Sequence, residues 1–256
     1  MPISKSDVLI SFPLSRGGYY EIVDEIVDLT QSKNSSSICI ANVHMAVTAF
    51  QDRKYASIIQ RADVVTPDGM PLTWALRLLY GVRQERVAGM DLLPDLLYKA
   101  EVLQIPVYFY GGTESMLGLT RNYIESHYPG ILIAGMYSPP FRTLSIEEEE
   151  EVANRINESG AKLVFVVLGC PKQERWIAAM KDKVHAVMLG VGGALPVLIG
   201  LQKRAPLWMQ RSGLEWFYRL SQEPKRLFKR YAVTNSLFLL LIVKEFIRIK
   251  VFRRAH

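Results

Sequence analysis

Short apolar runs alternate with longer segments of helical periodicity along the first 200 residues. Runs rich in β-branched and aromatic residues predict strands, and apolar residues spaced three to four positions apart predict helices. Strands are predicted within segments 36–44, 63–69, 105–113, 131–141, 161–174 and 185–196. Helices are predicted over 45–62, 70–81, 114–130 and 145–160.

Strand, loop and helix repeated in this order predict an α/β fold. We expect a mostly parallel sheet flanked by helices on both faces, in a Rossmann-like arrangement. Ligands of such sheets bind where the strands end, at the carboxyl edge. The loops that follow the predicted strands are therefore the places to look for function.

The alternation stops near residue 200. Segments 207–220 and 224–254 have the spacing of amphipathic helices, with Pro224 suited to a first helical turn. We predict two domains: an α/β domain over 1–202 and a basic, amphipathic helical appendage over 203–256.

Charge follows the same division. The chain has a net charge of +6, and the segment from Lys203 onward carries 13 Lys and Arg against three Glu. The preceding 202 residues hold 18 basic and 22 acidic side chains. The excess of positive charge therefore belongs to the appendage, which favours an anionic partner such as phosphate, nucleic acid or a lipid surface.

The sequence predicts neither a membrane-spanning segment nor a disulfide. The longest uncharged stretch of the appendage, 231–243, has 13 residues, whereas a spanning helix needs about 20. The first residues lack the pattern of a signal peptide. Cys39 and Cys170 lie in apolar runs, as expected of buried reduced thiols in the cytoplasm.

The loops after the predicted strands are rich in glycine, proline and small polar residues. Such loops allow backbone N–H groups to approach a phosphate. They match neither the GxGxxG dinucleotide fingerprint nor the P-loop. No HExxH, CxxC or paired-His pattern occurs either, so we expect no cofactor and metal-independent chemistry.

Asp68 is the carboxylate best placed for chemistry. It follows a predicted strand and precedes Gly69, so its side chain could face a cleft as a general base. An Asp in a turn can instead simply accept backbone N–H groups. The residues alone leave both interpretations open.

Other polar side chains also follow strands. Arg86 could bind a diphosphate or pair with a neighbouring acid, and His44, two residues after Asn42, could bind substrate or be structural. Lys172 and Gln173, at a strand-to-helix junction, could hold phosphate and sugar hydroxyls or cap the helix.

Ordered blocks over residues 8 to 235 resemble the WecG/TagA/CpsF family, glycosyltransferase family 26. The blocks are "AN" at 41–42, "PDGMPLTWALRLLYG", "ERVAGMDL", "YFYGGT", "GMYSPPF", "LGCPKQE", "GVGGALPVLIG" and residues 203–231. The resemblance implies an inverting transfer of a sugar from a UDP-sugar to a polyprenyl-diphosphate-linked saccharide. It places the enzyme peripherally on the cytoplasmic face of the bacterial inner membrane, in the synthesis of exopolysaccharide, capsule, teichoic acid or common antigen.

The resemblance also implies roles for residues. Domain 1–202 would bind the UDP-sugar, with Asp68 as the base and Arg86 and Gln173 as further catalytic residues. The appendage would dock on the membrane and help to close the site. The candidate substrate-binding residues are Asn42, His44, Gly69, Asp91, Gly111, Gly112, Pro139, Pro140, Phe141, Gly169, Lys172, Gly192, Arg219 and Arg226, with Lys229 or Arg230 beside the last two.

Two positions depart from the family pattern. Ile40 stands where many members carry Thr, and Leu195 with Pro196 stands in place of Phe-Asp. Both changes lie in loops near the expected cleft, so the resemblance implies the reaction type more firmly than the sugar donated or accepted.

The sequence is also compatible with other functions. The chain could bind a sugar nucleotide without catalysis, or bind nucleic acid through its basic, aromatic appendage. The aromatic side chains of the appendage could anchor it at a lipid interface, or could pack on the sheet domain or on another subunit of a homo-oligomer. These side chains are Trp208, Trp216, Phe217, Tyr218, Phe228 and Tyr231.

Overall fold

A computed structural model describes residues 5–32 and 34–254 of the chain. The strands are β1 Lys5–Leu9, β2 Phe12–Ser15, β3 Ser36–Ala41, β4 Val64–Pro67, β5 Val107–Gly111, β6 Ile133–Tyr137, β7 Leu163–Val167 and β8 Val187–Gly190. The helices are α1 Tyr19–Gln31, α2 Val43–Gln51, α3 Arg53–Arg61, α4 Met70–Tyr80, α5 Gly89–Val102, α6 Glu114–His127, α7 Ile146–Glu158, α8 Lys172–Met180, α9 Ala194–Leu198, α10 Leu207–Arg211, α11 Glu215–Gln222 and α12 Pro224–Arg254.

Six strands form one parallel sheet in the order β4-β3-β8-β7-β5-β6. Successive side chains of β5 enter opposite cores: Phe109 packs with α1, α5, α6 and α9, whereas Tyr108 packs with α7 and α8. Helices α2, α3, α4 and α12 cover the remainder of the second face. This confirms the predicted α/β fold, because strands buried on both faces read as continuous apolar runs.

Local sequence signals explain several element boundaries. Helix α4 ends where Gly81 adopts φ +74°, a left-handed conformation that suits glycine. Helix α7 begins with a capping box. The Ser145 hydroxyl accepts the Glu148 N–H, and the Glu148 carboxylate accepts the Ser145 N–H. Both boundaries agree with the sequence prediction.

Two predicted helices are divided in the structure. Segment 45–62 contains α2 and α3, because Asp52 leaves the helical conformation and accepts the N–H groups of Lys54 and Tyr55 to start a new helix. Segment 207–220 contains α10 and α11, because Gly213 adopts φ +70° between them. A short polar cap and a single glycine thus outweigh a continuous apolar periodicity.

A two-stranded antiparallel hairpin, β1–β2, was missed by the sequence prediction. Leu9, Phe12 and Leu14 of this hairpin are fully buried in the second core. Its Ser15 hydroxyl accepts the N–H of Val65 at 2.9 Å, which ties it to β4. The hairpin therefore covers the edge strand of the main sheet.

The appendage packs on the α/β domain. Phe238 and Ile242 of α12 are buried in the core formed with α2 and α4, while Leu239 and Leu240 are exposed. One side of α12 thus belongs to the folded core and the other faces outward. Within the described ranges, none of the helices combines the length and apolar character needed to cross a membrane.

The two cysteines do not form a disulfide. Cys39 is buried in the core, and Cys170 lies partly buried with its Sγ 3.4 Å from the Tyr55 hydroxyl. Burial beside Glu174 raises the pKa of the Cys170 thiol to about 12, which disfavours the reactive thiolate.

Candidate functional site at the carboxyl edge of the sheet

The strand order decides which loops are neighbours. Parallel strands lie about 4.8 Å apart, so the end of β4 is ~5 Å from the end of β3 and ~10 Å from that of β8. The loops after these three strands carry Asp68, Asn42 and Gly192. Sequence candidates that are far apart along the chain are thereby brought to one end of the sheet.

Asp68 lies directly beyond β4 in a partly buried position. Its backbone N–H donates to the Ala41 carbonyl at 2.7 Å, and its Oδ1 accepts the Gly89 N–H at 3.3 Å. Burial raises the pKa of Asp68 to about 6, and nearby Glu215 adds to that rise. Arg219 and Arg86 act in the opposite direction on the same pKa, so Asp68 ionises near neutral pH among cations.

Arg86 joins the α/β domain to the appendage. Its Nη1 donates to Glu215 Oε2 at 2.8 Å, and its Nη2 donates to Asp91 Oδ2 at 3.0 Å. Arg204 donates to the other oxygen of Asp91. The sequence left open whether Arg86 pairs with an acid, and in the structure it pairs with two.

Arg219 reaches the site from α11. Its Nη2 lies 3.7 Å from the Met90 sulfur, and its guanidinium lies against Gly193, where an added Cβ would be 3.9 Å from Nη1. Arg226, in contrast, is exposed at the start of α12 and pairs with Glu223. Of these two arginines, Arg219 is the one whose charge lowers the pKa of Asp68.

Gln173 is buried at the start of α8 and fills the space between two glycine loops. Its Oε1 accepts the Gly169 N–H at 3.1 Å, and its Nε2 donates to Glu174 at 2.9 Å. A Cβ added to Gly190 would lie 2.7 Å from Nε2, and one added to Gly192 would lie 2.9 Å from Oε1. Gln173 therefore fixes the loops after β7 and β8, while neighbouring Lys172 is exposed.

The loop after β3 caps the next helix. Asn42 Oδ1 accepts the Met45 N–H at 3.1 Å, which starts α2. His44 lies partly buried, and among the described residues its Nδ1 has no hydrogen-bond partner. Burial, aided by the Arg230 guanidinium, lowers the pKa of His44, so the imidazole is neutral at neutral pH.

Other predicted residues lie along the same edge. Gly69 directly follows Asp68 and precedes α4. Gly111 ends β5 and Gly112 follows it, ~19 Å from the end of β4, and the Pro139–Phe141 loop follows β6, ~24 Å away. Phe141 is 88% exposed, and it follows the strand at the opposite edge of the sheet from β4.

The departures from the family pattern lie under the site. Ile40 is buried, and its Cδ1 would be 3.4 Å from a Cβ added to Gly89, the residue that donates to Asp68. Leu195 is buried in the core at α9, and Pro196 lies partly buried on the same short helix. The structure thus places these departures in β3 and α9 rather than in loops, and they act on the site through packing.

Two charged residues of the site were not among the sequence candidates. Glu215 and Arg204 complete the ion pairs of Arg86 and Asp91. The sequence offered one indication of Glu215, because it is one of three acids in a strongly basic segment. Among the described residues, no His, Cys, Asp and Glu side chains gather in a group that could hold a metal ion, and metal independence stays a prediction.

The arrangement supplies a proton acceptor and nearby cations. A carboxylate that ionises near neutral pH can accept a hydroxyl proton, and guanidinium groups can stabilise a departing phosphate. Short loops at the ends of the neighbouring strands bring backbone groups toward the Asp68 carboxylate. This is chemistry suited to group transfer from a phosphorylated donor.

Comparisons with known proteins agree with this chemistry. Over 203 residues the chain is 36% identical to an N-acetylglucosaminyldiphosphoundecaprenol N-acetyl-beta-D-mannosaminyltransferase of Bacillus spizizenii, which covers 79% of this chain and 77% of that protein. A protein of the same description from Bacillus subtilis is 33% identical over 214 residues, 83% of this chain and 81% of the relative. The model of the glycosyl transferase WecG/TagA/CpsF family matches residues 8–251. The chain is a glycosyltransferase and belongs to the WecG/TagA/CpsF family.

Proposed function

We propose that this enzyme transfers a hexose-type sugar from a UDP-sugar to a saccharide on a polyprenyl diphosphate, with inversion, in the synthesis of a bacterial cell-surface polysaccharide. The observation that carries the proposal is Asp68, an acid of raised pKa at the carboxyl edge of the sheet with Arg86 and Arg219 beside it. A base and two cations are what an acceptor hydroxyl and a departing diphosphate need.

The mechanism follows from these positions. The acceptor hydroxyl attacks the anomeric carbon through an oxocarbenium-like transition state, and its proton passes to the Asp68 carboxylate. The bond between the anomeric carbon and the diphosphate oxygen breaks, and UDP leaves with that electron pair. Arg86 and Arg219 stabilise the charge that develops on the diphosphate. Attack from the face opposite the leaving group inverts the anomeric carbon.

The relatives suggest specific substrates. Their names specify an N-acetylmannosaminyl group that is transferred and an N-acetylglucosaminyldiphosphoundecaprenol acceptor. We propose UDP-N-acetylmannosamine and that lipid-linked acceptor as the first pair to test. Ile40, which departs from the family pattern, packs against Gly89. The proposed donor and acceptor must therefore fit the shape of the site as well as its chemistry.

The outward face of the appendage supports membrane docking on the cytoplasmic side of the inner membrane. Helical spacing places Phe228, Leu239, Leu240, Val243 and Ile247 on one side of α12, and all five are exposed. Lys225 and Lys229 share that side and are exposed as well. Apolar side chains with interleaved cations suit an interface of anionic lipid.

The catalytic proposal is tested by Asp68→Asn. We expect transfer to fall by about 10²–10⁴-fold, the usual value of a positioned base. Asp182→Asn is the control, because Asp182 is exposed and precedes β8 at the opposite, amino edge of the sheet. If folded Asp68→Asn transferred sugar at the rate of the control, Asp68 would not be the base.

Docking is tested by Leu240→Glu, with Val102→Glu as control. Leu240 is 67% exposed on α12, and Val102 is 58% exposed at the end of α5 on the other face of the sheet. We expect Leu240→Glu alone to weaken binding to anionic vesicles. Equal vesicle binding by both variants, or preferential binding of the wild type to an oligonucleotide at the same salt, would contradict lipid docking.

A further inference from the structure

Four charged side chains form an alternating chain between the α/β domain and the appendage: Arg204, Asp91, Arg86 and Glu215. Arg86 is held at both ends, with Nη1 2.8 Å from Glu215 Oε2 and Nη2 3.0 Å from Asp91 Oδ2. The side chains of Arg86 and Glu215 are each 17% exposed. An ion pair this protected from water loses more when one partner is removed than a pair at the surface does.

Glu215 differs from the other acids of the appendage in its partner. Glu223 pairs with Arg226 and Glu245 with Arg248, in both cases three residues along the chain. Glu215 instead pairs with Arg86, 129 residues earlier. Among the described ion pairs, it is the acidic residue after Lys203 that links the appendage to the α/β domain.

The same helix face carries Arg219. Residues four apart lie on one side of an α-helix, so Glu215 and Arg219 both point from α11 toward the α/β domain. Glu215 meets Arg86, and Arg219 lies against Met90 and Gly193. Because these contacts lie on one rigid turn, the position of Arg219 depends on how α11 is fastened.

A second contact limits the freedom of α11. Gly213, in the turn before it, lies against the edge of the Trp74 ring of α4, where an added Cβ would be 2.6 Å from the ring. This contact fixes where α11 begins, and Trp216 packs edge-to-face against Tyr231 of α12 on the helix itself. The Glu215–Arg86 pair comes two residues after Gly213 and joins the first turn of α11 to the segment before α5.

We propose that Glu215 is a positioning residue for sugar transfer, whose ion pair with Arg86 sets the rotation of α11 and thereby places Arg219 beside Asp68. Glu215 also holds the Arg86 guanidinium at the same point. The kinetic part of this inference rests on the proposed function. The structural part, the fastening of α11, can be measured without substrate.

The first experiment compares Glu215→Ala with Glu245→Ala. Glu245 is the matched control, because it lies in the appendage, is also 17% exposed and pairs within its own helix. We expect Glu215→Ala to increase amide hydrogen exchange over residues 215–222 and the control to leave that segment unchanged. Wild-type exchange in folded Glu215→Ala would overturn the proposal.

The second experiment measures kinetics with Glu215→Gln, which keeps an oxygen acceptor for Arg86 but removes the charge. We expect kcat of Glu215→Ala to fall by about 10- to 100-fold through misplacement of Arg219 and Arg86. Glu215→Gln should recover most of that loss. Equal kcat in the wild type and both variants would refute a positioning role.

A third readout separates positioning from simple packing. Asp68 is influenced by Arg219, Arg86, Glu215 and the Gly89 N–H. Since Glu215 raises the pKa of Asp68, removing its charge in Glu215→Gln should move the acid limb of kcat/KM to lower pH. An unchanged limb would contradict the proposed proximity. A wild type that transfers no sugar would refute the proposed function, while the exchange experiment would still judge Glu215.

Discussion

Asp68→Asn should make the protein more stable at neutral pH while it removes activity. In the folded protein the pKa of Asp68 is about 6, against an ordinary value of 3.8. The folded state therefore holds a proton on Asp68 more tightly than the unfolded state does. It follows that ionisation of Asp68 above pH 6 destabilises the fold, and that this cost disappears as the pH falls toward 3.8.

The size of the effect follows from the difference between the two pKa values. Each pKa unit corresponds to about 1.36 kcal/mol, so ionised Asp68 costs about 3 kcal/mol of unfolding free energy at pH 7.5. At pH 5 the same calculation gives a cost of about 1.6 kcal/mol to the free energy of unfolding. Asn carries no charge, and its side-chain oxygen can still accept the Gly89 N–H, so the variant escapes both costs.

The assay is urea denaturation of wild type and Asp68→Asn at pH 7.5 and pH 5. We expect the variant to be the more stable at both values, with its advantage about 1.4 kcal/mol smaller at pH 5. Asp182→Asn controls for the general effect of removing an acid. A stability difference that does not change with pH, or a variant less stable than wild type at pH 7.5, would refute the described environment of Asp68.

Three further predictions follow from the site. The acid limb of kcat/KM should fall near pH 6 rather than near pH 4, because Asp68 must be ionised to accept a proton; a pH-rate profile measures this. Arg86→Lys should lower kcat/KM at least about 10-fold in steady-state assays, since Lys cannot hold Glu215 and Asp91 together. Gly190→Ala should lower the melting temperature and transfer, because its Cβ would meet Gln173 at 2.7 Å. Gly118→Ala is the control, with open space around the new Cβ, and equal losses in both would argue against Gln173 as a support of these loops.

Much of the fold could be predicted from periodicity, because strands buried on both faces and amphipathic helices leave clear patterns. Helices α1 and α5 were not predicted at all, and α8 was expected only as a helix beginning near Lys172. Other errors arose where one residue overrides a pattern. Asp52 divides α2 from α3 through its side-chain cap, and Gly213 divides α10 from α11 through its backbone conformation. The β1–β2 hairpin was missed because β2 contains Pro13, a residue that argues against a strand in so short a run.

The site was predictable in part for the same reason. Asp68 and Arg219 could be named from the loops and the family resemblance, but their surroundings depend on contacts between distant segments. The partner of Arg86 lies 129 residues away, and no local pattern encodes that pairing. The strand order, which separates Phe141 from Asp68, also depends on the tertiary fold.

The proposed transfer from a UDP-sugar to a lipid-diphosphate acceptor can be tested directly. The purified chain is incubated with UDP-N-acetylmannosamine and a short-chain polyprenyl diphosphate bearing N-acetylglucosamine, beside a panel of other UDP-sugars. We expect a lipid-linked disaccharide with a new β-linkage and one UDP released for each disaccharide formed. UDP release without a disaccharide, or no turnover with any donor of the panel, would contradict the proposed function.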